Sequence, residues 1–416
     1  MGKWLLLRLL FQTTNMSNTT SLLSQRALRM EESATLRMAA MARELKIKGH
    51  QVIDLSLGEP DFDTPDHIKE AAKKALDDGY TKYTPVAGLL ELREAICTKF
   101  KRDNGLEFLP NQIVVSNGAK QSIANVCMAM LDPGDEVVIL SPYWVSYAEI
   151  VKVAEGEPVI VHAGIEHDYK ASAAQVEAAI TERTKLLLFS SPCNPTGSVF
   201  SEEELQAIAE VVSRHERVHI ISDEIYEYIN FSGRHHSIGT IESVKDRTIT
   251  INGFSKGYAM TGWRLGYLGA PKWIADACNK IQGQFTSGAN SFGQKAAAYA
   301  LLADMKPTED MKQAFEKRRN MVVELLGKIP GVKANMPEGA FYSFPDISAI
   351  FGKRCGDTVV NNPDDFCEYL LETEYVAAVS GSAFGDDRCF RISFAASEEE
   401  LREAVIRIER AVRALK

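Results

Sequence analysis

The sequence lacks the features that mark a disulfide framework, a zinc site, a membrane span or a nucleic-acid binder. Its seven cysteines are scattered and never spaced as C-x-x-C, a usage that favours reduced thiols. No apolar run approaches the ~20 residues that a membrane-spanning helix needs. No block of Lys and Arg stands out, and the net charge is −9, which argues against a nucleic-acid partner. A chain of 416 residues can bury a large core without disulfides or metal.

The first thirty residues differ from the rest of the chain. They contain four Lys or Arg, no acidic residue and many Ser, Thr and Asn, a composition that resembles an organellar transit peptide. The interpretation that we favour is a disordered extension, or a true start at Met16. We therefore expect residues 1–30 to be a disordered or targeting extension. We expect the protein to be cytoplasmic, with an organellar location as the alternative.

Beyond this extension, apolar strands alternate with helices. The predicted strands are Ile113–Ser116, Glu136–Leu140, Pro158–His162, Lys185–Ser190, Val218–Ser222, Thr248–Asn252 and Arg264–Gly269. Such apolar strands, alternating with helices, predict a mostly parallel sheet that is covered on both faces. The rhythm changes with a long helix at Thr308–Leu326, which short strands and a closing helix from Ser397 follow. This second pattern is typical of a smaller α+β domain.

The pattern predicts a division into four segments. After the extension we expect an N-terminal part of the small domain at 31–61, a large cofactor-binding domain at 62–305 and a C-terminal small domain at 306–416. Predicted elements of the first half include a helix at Glu32–His50, a strand at Val52–Leu57 and helices at Pro65–Asp78 and Leu89–Asn104. Ser201 and Glu204 form a capping box that predicts the start of a helix.

Polar clusters follow several of the predicted strands. They are Asn117-Gly118-Ala119-Lys120, Ser141-Pro142-Tyr143-Trp144, Asn194-Pro195-Thr196-Gly197, Asp223-Glu224-Ile225-Tyr226 and Gly253-Phe254-Ser255-Lys256, with Gly262-Trp263-Arg264 ending eight residues beyond the lysine. Ligands bind beyond the carboxyl ends of the strands in sheets of this kind. Each cluster alone has a structural explanation as a turn or a helix cap, but their placement at one edge predicts a shared site.

The residue types in these clusters suit pyridoxal phosphate (PLP). A lysine with a lowered pKa can form a Schiff base with an aldehyde, and a buried aspartate can keep a pyridine nitrogen protonated. Tyr and Asn can donate to the ring oxygen, and Trp can stack on the ring. Ser255, Arg264 and the N–H groups at Gly118 and Ala119 can hold a phosphate at a helix N-terminus.

The chain resembles the class I aminotransferases of PLP fold type I, and within them the bacterial-type aspartate aminotransferase branch that includes prephenate aminotransferases. The resemblance runs from about Arg29 to the C-terminus. The matching stretches are SLGEPDFDTP, KYTPVAGLLELREA, SNGAKQ, LDPGDEVVILSPYWVSY, SSPCNPTG, SDEIYE, FSKGYAMTGWRLGY, PEGAFY and FRISFA. The fold that it implies is α/β, with a large domain built on a mostly parallel seven-stranded sheet covered by helices and a smaller α+β domain.

The resemblance also implies roles for individual residues. For the cofactor ring they are Lys256 as the Schiff-base lysine, Asp223 as the partner of the pyridine nitrogen, Tyr226 and Asn194 as ligands of the ring oxygen, and Trp144 as the stacking aromatic. Lys256, Asp223 and Tyr226 are thus the predicted catalytic residues. Gly118, Ala119, Ser255 and Arg264 match the phosphate site. Tyr83 matches a tyrosine that reaches the phosphate of the neighbouring subunit, which implies a homodimer with shared sites.

Substrate recognition rests on fewer residues. Arg391 matches the arginine that binds the substrate α-carboxylate, and Gly58, Trp144 and Asn194 lie at the same site. Near Gly283–Asn290 we find no counterpart of the arginine that binds the distal carboxylate in other aspartate aminotransferases. The bacterial-type branch uses a lysine and a threonine instead, and here these are Lys120 and Thr35. A lysine at a helix N-terminus opposes the helix dipole, which favours a functional role for Lys120 over that of a solvated surface residue.

The implied activity is transfer of an amino group between aspartate or glutamate and a 2-oxo acid such as 2-oxoglutarate, with ping-pong kinetics. Prephenate aminotransferase, another fold type I aminotransferase and a β-lyase are the alternatives, since the cofactor residues are shared. A PLP-binding domain of a transcription regulator is disfavoured, because the about 30 residues that precede the resemblance are too few for a DNA-binding module.

No metal is expected, because His235-His236 has no third ligand at a typical spacing. Arg318-Arg319 is expected on a solvated helix face, and Cys193 is expected to be a buried, inert thiol.

Overall fold

The computed structural model of the protein describes residues 22–416. Most of the extension predicted at residues 1–30 thus lies outside the described residues, as does Met16, and its targeting role stays a prediction. The helices are α1 (Gln25–Leu28), α2 (Ala34–Ile47), α3 (Asp66–Asp77), α4 (Leu90–Lys99), α5 (Ala119–Met130), α6 (Ser146–Val153), α7 (Ala173–Ala179), α8 (Glu202–Ser213), α9 (Lys272–Phe285), α10 (Ser291–Leu302), α11 (Lys306–Leu326), α12 (Pro363–Glu374) and α13 (Glu398–Ala414). Among the described residues, no helix is both long and apolar enough to cross a membrane.

The strands are short, and most of them are apolar. They are β1 (Ile53–Asp54), β2 (Ile113–Ser116), β3 (Glu136–Ser141), β4 (Glu157–His162), β5 (Thr184–Ser190), β6 (His219–Asp223), β7 (Thr248–Gly253), β8 (Gly266–Gly269), β9 (Tyr342–Ser343), β10 (Arg354–Cys355), β11 (Thr358–Val359), β12 (Val376–Ala377), β13 (Val379–Ser380) and β14 (Phe390–Ser393). Seven of them form one sheet in the order β2-β8-β7-β6-β5-β3-β4. The prediction of a mostly parallel, seven-stranded α/β fold is confirmed.

Both faces of this sheet are covered by helices, as its apolar strands require. Along β3, Val137 and Ile139 pack in one hydrophobic cluster with residues of α5, α6 and α9. The alternate residues Val138 and Leu140 pack in a second cluster with residues of α7 and α8. Successive side chains of a strand point to opposite faces, so β3 contributes to two separate layers of the core. Only the edge strand β4, among these seven, is largely exposed.

The strand β8 runs antiparallel to both of its neighbours, β7 and β2. Its first residue, Gly266, pairs with Gly253 at the carboxyl end of β7 and with Ser116 at the carboxyl end of β2. The residues just before β8 therefore reach the edge at which the parallel strands end. This reversal brings Arg264 beside the other polar clusters, although Arg264 precedes its strand and they follow theirs.

The C-terminal region forms smaller sheets around a separate core. The strands β13, β14 and β9 form a three-stranded antiparallel sheet. The N-terminal strand β1 pairs in parallel with β12, and Met38, Ala42, Val52 and Leu55 pack in the same hydrophobic cluster as residues of α11, α12 and α13. These contacts support the prediction that residues 31–61 join the C-terminal small domain.

The helix predicted at Leu89–Asn104 ends where predicted, as an α-helix to Lys99 followed by a π-helix at Phe100–Asn104. Two predicted strands are wrong in extent. The strand predicted at Val52–Leu57 is reduced to Ile53–Asp54. The strand predicted from Arg264 begins at Gly266, since Arg264 itself is left-handed with φ +56°. The helices α1, α6, α10 and α12 were not predicted.

The prediction that Arg318 and Arg319 lie on a solvated helix face is also wrong. The guanidinium of Arg318 donates two hydrogen bonds to the carboxylate of Asp61, at 2.7 and 2.9 Å. The side chain of Arg319 is buried, donates to the carbonyl of Pro337 at 3.0 Å and stacks on the ring of Phe231. Both arginines therefore link α11 to other segments. The helical period had placed them correctly on α11 but could not indicate what packs against it.

Candidate active site

A cavity of about 580 Å³ opens at the carboxyl edge of the large sheet. Twelve of the predicted site residues line it, namely Thr35, Gly58, Ala119, Lys120, Trp144, Asn194, Asp223, Tyr226, Ser255, Lys256, Arg264 and Arg391. Their positions in the chain span more than 350 residues, so the fold alone brings them together. Gly118 and Tyr83 are the two predicted residues that do not line the cavity.

Lys256 follows β7 and projects into the cavity. Its Nζ donates to the carbonyl oxygen of Gly58 and lies 5.8 Å from the ring centres of Tyr226 and Phe341. Burial lowers the pKa of Lys256 to about 8, and the charges of Arg391 and Arg264 act in the same direction. A lysine with so low a pKa is unprotonated far more often at neutral pH than an ordinary lysine, which makes its amine more reactive.

Asp223 ends β6 and is buried. Its carboxylate accepts hydrogen bonds from the hydroxyl of Tyr147 at 2.6 Å and from the backbone N–H of Ile225 at 3.2 Å. Burial nevertheless raises the pKa of Asp223 to about 6. Two neutral donors do not compensate for the lost hydration of the charge, so this carboxylate would be stabilised by a cationic partner in the cavity.

Two tyrosines and an arginine form the opposite wall. The hydroxyls of Tyr226 and Tyr342 lie 2.8 Å apart, and both side chains are buried. The Arg391 guanidinium stacks over the ring of Tyr342 at 4.5 Å and over that of Phe384 at 4.9 Å. Tyr342 also restricts Gly58, because a Cβ at position 58 would lie 2.5 Å from the Tyr342 hydroxyl oxygen. Glycine at 58 therefore permits this close approach.

Arg391 has an incomplete set of hydrogen bonds for a buried guanidinium. Its Nη1 donates to Asn194 Oδ1 at 2.9 Å, and its Nη2 donates to the carbonyl of Ser56 at 2.5 Å. Its Nε has no partner among the described residues, and burial lowers the pKa of Arg391. None of its hydrogen-bond partners is a carboxylate. A ligand carboxylate would supply both the missing acceptor and the missing charge.

The groups that could bind a phosphate lie where α5 begins. Gly118 is the N-cap of α5 with φ +88°, and a Cβ there would lie 2.4 Å from Arg264 Nη2. A Cβ on Gly266 would lie 2.2 Å from the backbone nitrogen of Ala119. The two glycines thus let Arg264 and strand β8 approach the N-terminus of α5, where free N–H groups favour an anion. Ser255 lines the same cavity.

Lys120, in the first turn of α5, has no carboxylate partner in the part of the chain that is described. Its Nζ lies 4.8 Å from the ring centre of Trp144, a cation–π contact. Partial burial lowers the pKa of Lys120, and the charge of Arg264 adds to this effect. Thr35, at the start of α2, lines the same cavity. The ammonium of Lys120 and the hydroxyl of Thr35 are therefore available to bind a second acidic group of a ligand.

Tyr83 is fully exposed and does not line the cavity. Its position does not complete the site of its own chain. An exposed tyrosine can reach the site of a second copy, but the structure contains one chain, so that role stays a prediction.

The donor set fits PLP. A group with matching chemistry is present for each part of that molecule: Lys256 for the aldehyde, Asp223 for the ring nitrogen, Tyr226 and Asn194 for the ring oxygen, Trp144 for the ring face, and Arg264 with the start of α5 for the phosphate. The uncompensated charges of Asp223 and Arg391 indicate that this cavity is built for a charged ligand.

The sequence analysis assigned no role to Tyr147 or Tyr342. Both lie in stretches that carry the family resemblance, SPYWVSY and PEGAFY. Tyr147 follows Trp144 by three residues, and their rings are perpendicular at 5.5 Å. No sequence signal pairs Tyr342 with Tyr226, which lies 116 residues away. The pKa of the Cys193 thiol is raised by burial, as expected of an inert cysteine.

The chain resembles known proteins over most of its length. The family model described as aminotransferase class I and II matches residues 50–408. A protein from Petunia hybrida, named bifunctional aspartate aminotransferase and glutamate/aspartate-prephenate aminotransferase, is 48% identical over 399 residues, which cover 95% of this chain and 83% of that protein. An aspartate/prephenate aminotransferase from Nitrosomonas europaea is 47% identical over 390 residues, covering 93% of this chain and 98% of that protein.

Solved structures agree with these relatives. An aspartate aminotransferase from Rhizobium meliloti superposes with a TM-score of 0.92 at 42% identity, covering 95% of this chain and 99% of that chain. The aspartate aminotransferase from Thermus thermophilus with maleate has a TM-score of 0.88 at 42% identity, covering 94% of this chain and 99% of that chain.

Proposed function

The chain belongs to the class I and II aminotransferases, and on that premise we propose that it transfers an amino group between aspartate or glutamate and a 2-oxo acid such as 2-oxoglutarate, with PLP as cofactor. The observation that carries the proposal is the meeting in one cavity of a lysine with a pKa of about 8, a buried carboxylate with a pKa of about 6, and an arginine with an unpaired Nε. Relatives over nearly the whole chain bear the matching names.

When bound, PLP supplies an aldehyde that receives the amino group and a ring that accepts electrons from the substrate Cα. Lys256 Nζ is the base for the Cα proton. At pH 7 roughly a tenth of it is unprotonated for a pKa of about 8, and the same nitrogen can return the proton at a later step. Asp223 holds a proton on the ring nitrogen, because a cation there relieves its own uncompensated charge.

The remaining residues bind and orient the substrate. Arg391 binds the α-carboxylate, which supplies the acceptor that its Nε lacks, while Asn194 and Ser56 hold the guanidinium in place. Lys120 and Thr35 bind the distal carboxylate. The Thermus thermophilus relative was solved with maleate, a dicarboxylate, which supports this assignment. Release of a 2-oxo acid and entry of a second one give ping-pong kinetics.

Prephenate is the second candidate substrate. The Petunia and Nitrosomonas relatives are both named for prephenate as well as aspartate, and prephenate also carries two carboxylates. The Arg391 and Lys120 ends of the cavity suit either compound. Other fold type I aminotransferases and β-lyases share the cofactor residues. Lys120, which has no carboxylate partner among the described residues, favours dicarboxylic substrates over the substrates of those enzymes.

A substrate panel tests the proposal. Purified protein with PLP is assayed with aspartate and 2-oxoglutarate, and with glutamate or aspartate and prephenate, and kcat/KM is compared with that for alanine and phenylalanine as donors. We expect the dicarboxylic donors to exceed the neutral ones by at least tenfold. Elimination of ammonia or a β-substituent without amino transfer would contradict the proposal and favour a lyase.

We also propose that the protein works as a homodimer with shared sites. The support is the fully exposed Tyr83, which would reach the phosphate site of the second subunit. Sedimentation should give a dimer or a larger assembly, and Tyr83→Phe should weaken cofactor binding without changing the assembly. A fully active monomer at assay concentration would contradict this assignment.

The domain boundaries at residues 31, 62 and 306 and the cellular compartment remain predictions.

A further inference from the structure

A second set of buried polar groups, most of them ionisable, lies behind the turn that follows β6. We name it the back network, and it consists of Lys99, Asn104, Glu224, Glu227 and His235. The side chains of Lys99 and Glu227 are 0% and 3% exposed, and those of Glu224 and His235 are 1% and 7% exposed. None of these residues lines the cavity.

The members of the back network are joined by direct contacts. Lys99 Nζ pairs with the carboxylate of Glu227 and donates to Asn104 Oδ1 at 2.5 Å. Asn104 Nδ2 donates to Glu224 at 3.0 Å and to Glu227 at 2.7 Å. His235 Nε2 lies 2.8 Å from Glu224 Oε2. The other Glu224 oxygen accepts from the hydroxyls of Ser222 and Ser237 at 2.9 and 2.6 Å.

The network resembles a metal site in its ligand types but already contains a cation. Glu224, Glu227 and His235 each offer a ligand atom, and these atoms lie within 4.8 Å of one another. The structure thus gives His235 the acidic neighbours that sequence spacing did not reveal. The Lys99 ammonium, however, is paired directly with Glu227. With His235 protonated, two positive and two negative charges balance, so a divalent ion would upset rather than complete the group.

The turn from Asp223 to Tyr228 presents its side chains in two directions. Asp223 and Tyr226 line the cavity, whereas Glu224 and Glu227, each the next residue along, enter the back network. On the cavity side, Asp223 accepts hydrogen bonds from Tyr147 and from the N–H of Ile225, and the hydroxyl of Tyr226 contacts that of Tyr342. The backbone bonds of the turn include those from Ser191 N–H to Asp223, from Glu224 N–H to Ile251, from Glu227 N–H to Glu224 and from Ile229 N–H to Tyr226. The carboxylates of Glu224 and Glu227 anchor the turn from the opposite side.

We propose that Lys99, through its ion pair with Glu227, and His235, through Glu224, are positioning residues that hold Asp223 and Tyr226 in place for the cofactor ring. The inference rests on the proposed roles of those two residues. The physical reason is geometric. Catalytic groups must be held within about 0.5 Å of their productive positions, and a buried carboxylate that loses its partner will move toward other donors or water, because an unpaired buried charge is costly.

The central experiment compares Lys99→Met with Lys185→Met in the full-length protein. Lys185 is the matched control, since its Nζ pairs with Asp135 at 2.6 Å and its side chain is 23% exposed. Lys185 lies near the amino end of β5, at the edge of the sheet opposite the cavity. Two measurements are made on each variant: the dissociation constant of pyridoxamine 5′-phosphate, which has the ring and phosphate but no aldehyde, and kcat and KM of the holoenzyme.

For Lys99→Met we expect pyridoxamine 5′-phosphate to bind about tenfold more weakly, and kcat to fall about tenfold with KM changed less than twofold. Adding Glu227→Gln to Lys99→Met removes both members of the pair and should restore most of the affinity, because no buried charge is left unpaired. Lys185→Met should change neither quantity. Ser237→Ala removes one hydrogen bond from Glu224 and keeps every charge, so it covers the case in which Lys99→Met fails to fold; we expect two- to threefold weaker binding.

Three results would overturn the inference. The first is a Lys99→Met or Ser237→Ala protein that loses thermal stability but keeps wild-type affinity and kcat, which would make the network purely structural. The second is equal losses in Lys185→Met. The third is a stoichiometric divalent ion in the purified protein that Glu224→Gln removes. Asp223→Ala is measured in parallel: if it binds pyridoxamine 5′-phosphate as the wild type does, the proposed cofactor role fails independently of the network.

Discussion

The protein buries charge on both sides of one short turn, and the two sides treat that charge in opposite ways. In the cavity, the pKa of Asp223 is raised and those of Lys256 and Arg391 are lowered, each chiefly by burial. In the back network the shifts run the other way. Burial opposes the charge of Glu224 and His235, but their mutual attraction and hydrogen bonds outweigh it, so the pKa of Glu224 is lowered and that of His235 is raised.

The difference distinguishes a binding site from a structural support. Groups whose charged forms are destabilised in the folded chain gain most from a ligand that supplies the missing partner. Groups whose charged forms are already stabilised have little to gain from one. A short distance thus separates residues that are ready to bind from residues that hold them in position. Variants on the two sides should fail in different ways.

Lys256→Ala should have the largest effect. Transamination should be abolished and the visible absorbance of the bound cofactor lost, because Lys120, the other lysine lining the cavity, lies near Trp144 and serves the substrate end. Borohydride reduction of the wild type should fix the cofactor on the peptide that contains Lys256. Labelling of any other lysine would contradict the assignment.

Asp223→Ala should retain the cofactor, held by Lys256 and the phosphate site, but lower kcat by several orders of magnitude. Without the carboxylate the ring nitrogen loses its proton and the ring accepts electrons poorly. The measurement is single-turnover kinetics with aspartate, together with the cofactor content of the purified variant. Near-normal turnover would reduce Asp223 to a residue that only caps the end of β6.

Lys120→Ala should lower kcat/KM for aspartate and glutamate by about 10- to 100-fold, equivalent to about 1.5–3 kcal/mol for a charge-assisted contact. Activity on alanine and phenylalanine should fall much less, since neither has a distal carboxylate. Arg391→Ala is the matched comparison and should affect every amino acid alike. An unchanged ratio of acidic to neutral substrates in Lys120→Ala would remove the main support for the acidic specificity.

The smallest expected effect is a pH dependence of stability from the back network. Because the pKa of His235 is raised above its usual 6.5 by Glu224, its contribution is complete below pH 6.5 and is lost as the pH rises through its value in the folded protein. Wild type should exceed His235→Leu in unfolding free energy by about 1.5 kcal/mol at pH 6, and the gap should narrow at higher pH. Urea midpoints from pH 6 to pH 9 measure it. A gap that widens with pH would show that His235 is neutral.

Much of the cofactor site could be predicted from the sequence because the chain alternates strands and helices. That alternation fixes a parallel sheet, and in a parallel sheet the residues after each strand share an edge, so Asp223 and Lys256 were expected together before any contact was known. The capping box at Ser201 and Glu204 is likewise local, and the structure has both of its hydrogen bonds. Sequence reasoning was weakest where a contact joins distant segments.

The sequence by itself determined the fold class, the edge at which the polar residues gather and the chemistry that they can support, since these follow from local periodicity and residue type. The tertiary structure decided which buried charges have partners that stabilise them. Tyr147 reaches Asp223 across 76 residues, and Asn104 reaches Glu224 across 120. Burial and pairing at such separations depend on how helices pack on the sheet. No period in the chain encodes that packing, and it is what divides the charges into a reactive cavity and a fixed support.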